Sequence, residues 1–300
     1  MGAADRLGFI GLGMMGLPMA ANAARRGHVL LACDAAPQRI ALLREAAGAD
    51  ASVEATADPA AVGAACRTII LMLPTSRQVA EVVEAMLPAL KPQTLIIDMG
   101  SSLPAETRRL SADLGKAGVG FIDAPVSGGV PKAKSGTLAI LVGGPPALVD
   151  RAWPVLETMG ESIIRTGAAG SGHAMKALNN FVYAAGLLAS VEALRVGEAA
   201  GLDLSILTDV LNASSGRNVA TETKLRQFVL NGAYNGGFRL GLMAKDIETA
   251  AALADEVGVS GASLTTCRDV WRRALAELGA DVDNTEIHKT VRGPVGRAAE

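Results

Sequence analysis

Aromatic side chains are scarce, with five Phe, two Trp and two Tyr in 300 residues. Ala, Leu, Val and Gly must fill the interior instead, which suits closely packed helices and parallel strands. Cysteine is scarce too. Cys33, Cys66 and Cys267 are odd in number and widely spaced, with no CxxC pair. That pattern argues against a disulfide framework or a zinc or other metal site, and for a reduced, cytoplasmic chain. No block of Lys or Arg occurs and the formal net charge is −2, so neither nucleic acid nor a membrane surface is an expected partner. The start of the chain shows no charged n-region, apolar h-region and cleavage site. The longest apolar run, Phe181 to Val191, has 11 residues between Lys176 and Glu192. A bilayer span needs about 20.

What is present is a chain that is 50% hydrophobic and long enough for two domains with sizeable cores. The first half alternates strand and helix. Leu7 to Ile10 reads as a short buried strand, and Leu17 to Arg26 as a helix stopped at Gly27-His28. Between them lies Gly11-Leu12-Gly13-Met14-Met15-Gly16. The next strand, Val29 to Cys33, ends at Asp34, 23 residues after Gly11. A GxGxxG between strand and helix, with an acid about 20 residues on, is the pattern of a dinucleotide-binding unit. Gly11 permits the tight turn, Gly13 lets the backbone approach a pyrophosphate, and Gly16 allows close helix–strand packing. The helix N-terminus faces the phosphates. Asp34 can accept from both ribose hydroxyls and would repel a 2′-phosphate. Ala35-Ala36-Pro37 offer no arginine, although Arg39 lies one turn on. The cofactor read from this is NAD, with NADP possible.

The alternation continues with strands at Thr68 to Leu73, Thr94 to Asp98, Gly120 to Asp123 and Ser162 to Arg165. Ligands of an open parallel sheet sit beyond the carboxyl ends of its strands. Leu73, Pro74, Thr75 and Ser101 are therefore expected beside the nicotinamide half of the cofactor. Ser127-Gly128-Gly129 combines a hydroxyl with unencumbered N–H groups in one bend. It reads either as an anion nest for a substrate carboxylate or as a plain connecting turn.

Gly170-Ser171-Gly172 then breaks into a helix of about 29 residues, roughly 43 Å long, with Ser171 the expected N-cap and Gly201 the expected stop. Its Phe181 to Val196 part is apolar nearly all round, which predicts burial. His173, Lys176, Asn179, Asn180 and Tyr183 form a polar stripe on its first turns. Beyond Gly201 every periodic segment is helical: Leu204 to Asn212 capped by Asp203 or Ser205, Thr221 to Asn231, Leu240 to Val257, Ser263 to Leu278 and a short Glu286 to Val291. The tail from Arg292 to Glu300 reads as frayed. The fold expected is an α/β Rossmann-type domain over 1–168 plus an all-α domain over 169–300, joined by a long helix at about 172–200.

Taken in order, these residues resemble the β-hydroxyacid dehydrogenases, and most closely the 3-hydroxyisobutyrate dehydrogenase branch. The resemblance covers about residues 6 to 291. It rests on Gly11 to Gly16, Met72-Leu73-Pro74, Asp98 with Ser101 and Pro104, Asp123 to Gly129 with Gly136-Thr137-Leu138, Gly170 through Lys176 to Asn180, and Leu242 to Asp246. It implies a catalytic Lys176, a substrate carboxylate held by Ser127, Gly128 and Gly129, and a reacting oxygen fixed by Asn180. It also implies that Lys245 reaches the cofactor and that Asp246 supports Lys245 or its helix. Family members form dimers or tetramers, so a homo-oligomer is implied. Gly100-Ser101-Ser102 departs from the more usual Ser-Thr-Ile but keeps a hydroxyl. Gln78 stands where Asn is common. Arg217, His173 and Tyr183 gain no role.

The reaction so implied is reversible oxidation of a small 3-hydroxy acid to a semialdehyde. To act as its base, Lys176 must fall from an ordinary pKa of about 10.4 towards about 7–8. Alternatives within the family are tartronate semialdehyde or glyoxylate/succinic semialdehyde reductases. An alternative of another class is a non-catalytic NAD-binding sensor or scaffold, which would be expected to lose Lys176 or the Ser127-Gly128-Gly129 bend; both are present.

Overall fold

A computed structural model describes residues 6–291, and the chain folds as two compact units, Met1–Lys176 and Ala177–Glu300. The expected fraying of 292–300 lies outside the described residues.

Among the described residues the first unit is built on nine strands: β1 Leu7–Ile10, β2 Leu30–Cys33, β3 Val53–Thr56, β4 Thr68–Leu71, β5 Leu95–Asp98, β6 Gly120–Asp123, β7 Val126–Ser127, β8 Leu138–Gly143 and β9 Gly160–Gly167. Six of them run parallel in the order β3-β2-β1-β4-β5-β6. This is the doubly wound order of dinucleotide-binding folds. β8 then pairs antiparallel with β6 and β7, and β9 adds parallel to β8. Sequences such as Thr68-Ile69-Ile70-Leu71 and Leu95-Ile96-Ile97-Asp98 are apolar on both faces because helices cover both faces. Those helices are α1 Gly16–Arg25, α2 Gln38–Ala47, α3 Pro59–Ala65, α4 Ser76–Met86, α5 Pro104–Lys116, α6 Gly129–Ser135 and α7 Pro146–Leu156. Two cores result. One holds Phe9, Met19, Leu30 and Ile97; the other holds Ile69, Leu71, Met86 and Phe121.

Several elements exceed what periodicity indicates. α2, β3 and α3 fill the stretch between β2 and β4, and β3 is half-exposed, so no apolar run marks it. α6 begins straight after Gly128, in a stretch that reads as a turn. β9 runs past both ends of the expected Ser162 to Arg165, because main-chain pairing with β8 does not require apolar side chains.

The long helix α8 spans Ser171–Ala199. Ser171 is its first residue rather than its cap: the Ser171 hydroxyl bonds Thr166 Oγ1 at 2.6 Å. The end is as expected. Gly201 takes φ +75°, its N–H donates to Glu198, and the Leu202 N–H donates to Gly197. These are the two bonds of a Schellman stop. The expected burial of Phe181 to Val196 is only partly realised. Ala184, Leu187, Leu188, Val191 and Leu194 are buried, but Val182 is 67% and Val196 70% exposed. They lie on the opposite side of the helix, two heptads apart. By length and composition alone α8 could cross a membrane. Its buried face instead forms the core of the helical unit.

That unit continues with α9 Leu204–Ala213, α10 Val219–Thr223, α11 Leu240–Glu256 and α12 Ala262–Leu278. Asp203 caps α9 by accepting from Ser205 N and Ile206 N. The single helix expected over Thr221 to Asn231 is broken at Lys224, after which Leu225–Val229 form a π turn. Asn218 and Thr221 close a capping box at the start of α10, so this short helix begins at Val219, ahead of the expected Thr221. The core gathers Leu187, Val191, Leu240, Ile247, Trp271 and Ile287.

Candidate active site

Because β1, β2, β4, β5 and β6 are parallel, their carboxyl ends share one edge of the sheet. Each end carries one of the sequence motifs. After β1, Gly11 has φ +98°, and a Cβ there would lie 2.4 Å from the Met72 carbonyl. A Cβ on Gly16 would lie 2.0 Å from the Gly11 carbonyl. Both glycines are thus closed in by backbone. Gly13 is the opposite case: it is exposed and nothing lies within 4 Å of where its Cβ would be. The first turn of α1 has neither an acidic residue nor a side-chain cap, so no side chain competes there with an anion; the Leu17 N–H donates to the Gly13 carbonyl and Pro18 carries no N–H. This cradle, shut on two sides and open at Gly13, fits a pyrophosphate. Met14 is exposed and Met15 half-buried on the same turn, whereas the Leu12 side chain is in the core.

Asp34, just past β2, locks the turn. Its Oδ2 accepts from Leu12 N at 2.6 Å and its Oδ1 from Ala36 N at 2.8 Å. A carboxylate has about four acceptor sites, so capacity for ribose hydroxyls remains. Leu73, Pro74 and Thr75 follow β4. The Thr75 hydroxyl caps α4, receiving Gln78 N and donating to Gln78 Oε1, so Gln78 is tied to Thr75. Ser101 is half-buried beyond β5, while the neighbouring Ser102 hydroxyl donates to Asp98 Oδ2 at 2.7 Å.

Ser127 ends β7, opposite Ala139 of β8. Gly128 and Gly129 follow with φ +132° and +66°. Both values lie in the region that favours glycine. A Cβ on Gly128 would strike the Lys132 side chain at 2.6 Å.

Sequence periodicity assigns no role to three buried groups on this edge. Asp98 and Asp123 are register partners at the ends of β5 and β6, and both are fully buried. Asp123 Oδ1 accepts from Gly170 N at 2.7 Å and its Oδ2 from His173 N at 2.9 Å. Asp123 is therefore the cap of α8. Burial pushes its carboxyl up from the usual aspartate range, against the opposing pull of His173 and of those two N–H donors. His173 fills the space between the carboxylates, 3.8 Å from each. The apolar setting of an Asp and a His is the only sequence signal for this cluster. Lys176 sits one turn further along α8, half-buried.

In the helical unit, Asn180 of α8 is buried and Lys245 of α11 is about one-quarter exposed. Asp246 joins them. Its Oδ2 accepts from Asn180 Nδ2 at 2.5 Å and its Oδ1 pairs with Lys245 Nζ at 3.1 Å.

Two family models match this chain. Residues 6–167 match the NAD-binding domain of 6-phosphogluconate dehydrogenase. Residues 170–291 match the NAD-binding domain of NADP-dependent 3-hydroxyisobutyrate dehydrogenase. The chain belongs to the β-hydroxyacid dehydrogenase family. Among other β-hydroxyacid dehydrogenases, the chain is 34% identical to 3-hydroxyisobutyrate dehydrogenase of Pseudomonas aeruginosa, over 96% of its own length and 98% of the relative's. It is 36% identical to 2-(hydroxymethyl)glutarate dehydrogenase of Eubacterium barkeri, over 85% and 83% of the two chains. A solved structure of Mycobacterium tuberculosis 3-hydroxyisobutyrate dehydrogenase with L-serine superposes with a TM-score of 0.88. It is 32% identical, and the match covers 97% of this chain and 100% of that one. As a β-hydroxyacid dehydrogenase the protein binds NAD(P).

Proposed function

We propose that this protein interconverts a small 3-hydroxy acid and its semialdehyde with NAD(P), in the manner of the 3-hydroxyisobutyrate dehydrogenases. The observation that carries the reading is a shared anchor. β6 ends in Asp123, which leads within four residues to Ser127 and also receives the N–H groups of Gly170 and His173 at the start of α8, the helix bearing Lys176. A carboxylate-binding bend and a proton-transfer group thus leave from one point on the sheet edge.

Gly11 to Gly16 and Asp34 would hold the dinucleotide, with Leu73, Pro74, Thr75 and Ser101 bordering its nicotinamide half and Lys245 contributing a cation. Bound nicotinamide supplies the hydride acceptor or donor. Ser127, Gly128 and Gly129 clamp the substrate carboxylate. Lys176 takes the hydroxyl proton during oxidation and returns it during reduction. Asn180 steadies the reacting oxygen through its amide. Asp34 supports a preference for NAD, since a 2′-phosphate would meet its negative charge. The three cysteines are buried, odd in number and widely spaced, which supports a reducing, cytoplasmic setting.

A homo-oligomer is part of the same reading. It is supported by the exposed apolar residues Val182 and Val196 on α8 and Leu202, Ile206 and Val210 at α9. Light scattering after size-exclusion chromatography measures it directly; a monomer at micromolar concentration would refute it.

The deciding experiment is a steady-state screen with both cofactors. It includes 3-hydroxyisobutyrate, glycerate, 4-hydroxybutyrate, glycolate, threonate, serine and 2-(hydroxymethyl)glutarate. Turnover concentrated on 3-hydroxy acids is expected. Cofactor binding without turnover of any of them would overturn the reading.

A further inference from the structure

Asp123 and His173 are buried, titratable and absent from the proton-transfer scheme above. Asp123 is joined to two parts of the fold that chemistry must keep in register. By chain connection it is the last residue of β6, four residues ahead of Ser127. By hydrogen bonds it holds Gly170 N, one residue ahead of α8, and His173 N in the first turn of α8. Helix starts leave such donors unpaired unless a side chain receives them. Here the receiving side chain comes from a strand 47 residues earlier, and both of its oxygens are used.

The fit around this cap has no slack. A Cβ on Gly172 would lie 2.3 Å from the Leu141 carbonyl and 2.9 Å from Asp123 Oδ2. A Cβ on Gly143 would lie 2.7 Å from both Asp123 Oδ1 and Ser171 Oγ. The helix start is thus pressed onto the ends of β6 and β8. His173 fills the remaining side. Its Nδ1 bonds Thr107 Oγ1 at 2.8 Å, and that hydroxyl donates to the Leu103 carbonyl at 3.2 Å. One hydroxyl carries one proton, so this geometry makes Nδ1 the donor to Thr107. Among the described residues the buried Nε2 has no hydrogen-bond partner, and it faces Asp98 Oδ2 at 3.8 Å. Asp98 is itself held by Gly100 N and Ser102 Oγ. The imidazole thus stands between two carboxylates on adjacent strand ends.

We propose that Asp123 and His173 are positioning residues for Lys176: the Asp98–His173–Asp123 cluster fixes the start of α8, and thereby where the lysine stands relative to the Ser127-Gly128-Gly129 bend. This rests on the reading of Lys176 as the proton-transfer group. His173 lies at i−3 from Lys176, on the same side of the helix. A shift at the cap is transmitted to the lysine within one turn, and a displacement of about 1 Å at a reacting centre costs about 100-fold in rate.

The test compares Asp123→Asn, His173→Gln and Lys176→Ala in the full-length protein. Asp123→Asn keeps one acceptor and loses the other. His173→Gln removes the imidazole but leaves the backbone N–H on Asp123, and it carries the test if the first variant folds poorly. For each, kcat per folded enzyme, the dissociation constant for NADH and the pH profile of kcat are measured well below Tm. Among the described residues, the charged or titratable groups facing this helix start include Asp98, Asp123, His173 and Arg108, which flanks Gly170. The expected result is a kcat lowered about 10- to 100-fold in the positioning variants, with NADH affinity within about twofold of the parent. In Asp123→Asn the ascending limb of the oxidation profile moves to lower pH, because a nearby negative charge that favours the protonated lysine is gone. A mere fastening role lowers Tm and moves neither kcat per folded enzyme nor the profile, and that result would overturn the proposal. Near-parental turnover in Lys176→Ala would instead remove the reading on which it rests. An inert Lys176→Ala beside untouched Asp123→Asn and His173→Gln would refute the positioning role alone.

Discussion

Asn180 and Asp246, 66 residues apart, are joined by a 2.5 Å hydrogen bond from the amide Nδ2 to carboxylate Oδ2 inside the helical unit. The same carboxylate pairs with Lys245 at 3.1 Å through its other oxygen. Asn179 Nδ2 donates to Asn180 Oδ1 at 3.1 Å, so the Asn180 amide is fixed from both ends. Asp246 therefore orients one residue expected at the reacting oxygen and another expected at the cofactor.

Asp246→Ala should leave a buried amide without its charged acceptor. Losing such a bond costs about 1.5–3 kcal/mol. Lys245 is partly exposed, so its pairing adds little to that figure. A fall in kcat/KM of at least about tenfold is expected, together with a lower Tm. A double-mutant cycle with Asn180→Ala checks the coupling: additive losses would show that the two residues act independently.

Lys176→Ala should retain NADH binding and lose at least about 100-fold in kcat, the low end of general acid–base contributions. Fluorescence titration and steady-state rates separate the two effects. Turnover close to that of the parent enzyme would remove Lys176 from the mechanism.

The glycine loop should respond differently at each position. Gly13→Val adds atoms into open space, so it should keep its Tm while abolishing NADH binding. Gly16→Ala places a Cβ 2.0 Å from the Gly11 carbonyl and should destabilise the fold itself. Equal thermal losses in both variants would contradict this division.

Asp34→Ala removes the acceptor of Leu12 N and the charge that opposes a 2′-phosphate. The ratio of kcat/KM for NADP to that for NAD should rise by at least about tenfold, or about 1.4 kcal/mol. An unchanged ratio would show that another group sets the preference.

Tyr183 offers a stability test in alkali. Burial pushes its hydroxyl up from 10.0 to about 12. Its folded pKa is thus raised, so its contribution is fully present below pH 10 and is lost as pH rises through about 12. The loss from this one residue is roughly 2–3 kcal/mol. Denaturant melts between about pH 9 and about pH 12 should show a smaller decline in Tyr183→Phe than in the parent. Parallel declines would mean that Tyr183 ionises no differently when folded.

The Gly11 to Gly16 turn is legible in the sequence because its function is local. A tight turn, an open approach and a close helix contact each need a glycine at a set spacing, and Asp34 follows one strand later. Ser127-Gly128-Gly129 is legible in the sequence only as a glycine-rich bend, since the same three residues suit a turn or a nest; the structure adds that both glycines take positive φ. At the cap of α8 local residue type points to the wrong side chain. Ser171 is a good N-cap by type, but Asp123 reaches the same N–H groups from another strand. Likewise Val182 and Val196 are apolar by composition and exposed by geometry.

The sequence by itself determined the alternation of strand and helix, the glycine loop with its acid, the single long helix with its stop at Gly201, and the residues able to move a proton. These follow from turn chemistry, periodicity and side-chain type, which act over a few residues. Tertiary structure alone decided that Asp98 and Asp123 are register partners around His173, that Asp123 rather than Ser171 starts α8, and that Asp246 ties Asn180 to Lys245. The bonds from Asp123 to α8 and from Asn180 to Asp246 span 47 to 66 positions, and a buried carboxylate is driven to whichever unpaired donors the packed chain places beside it.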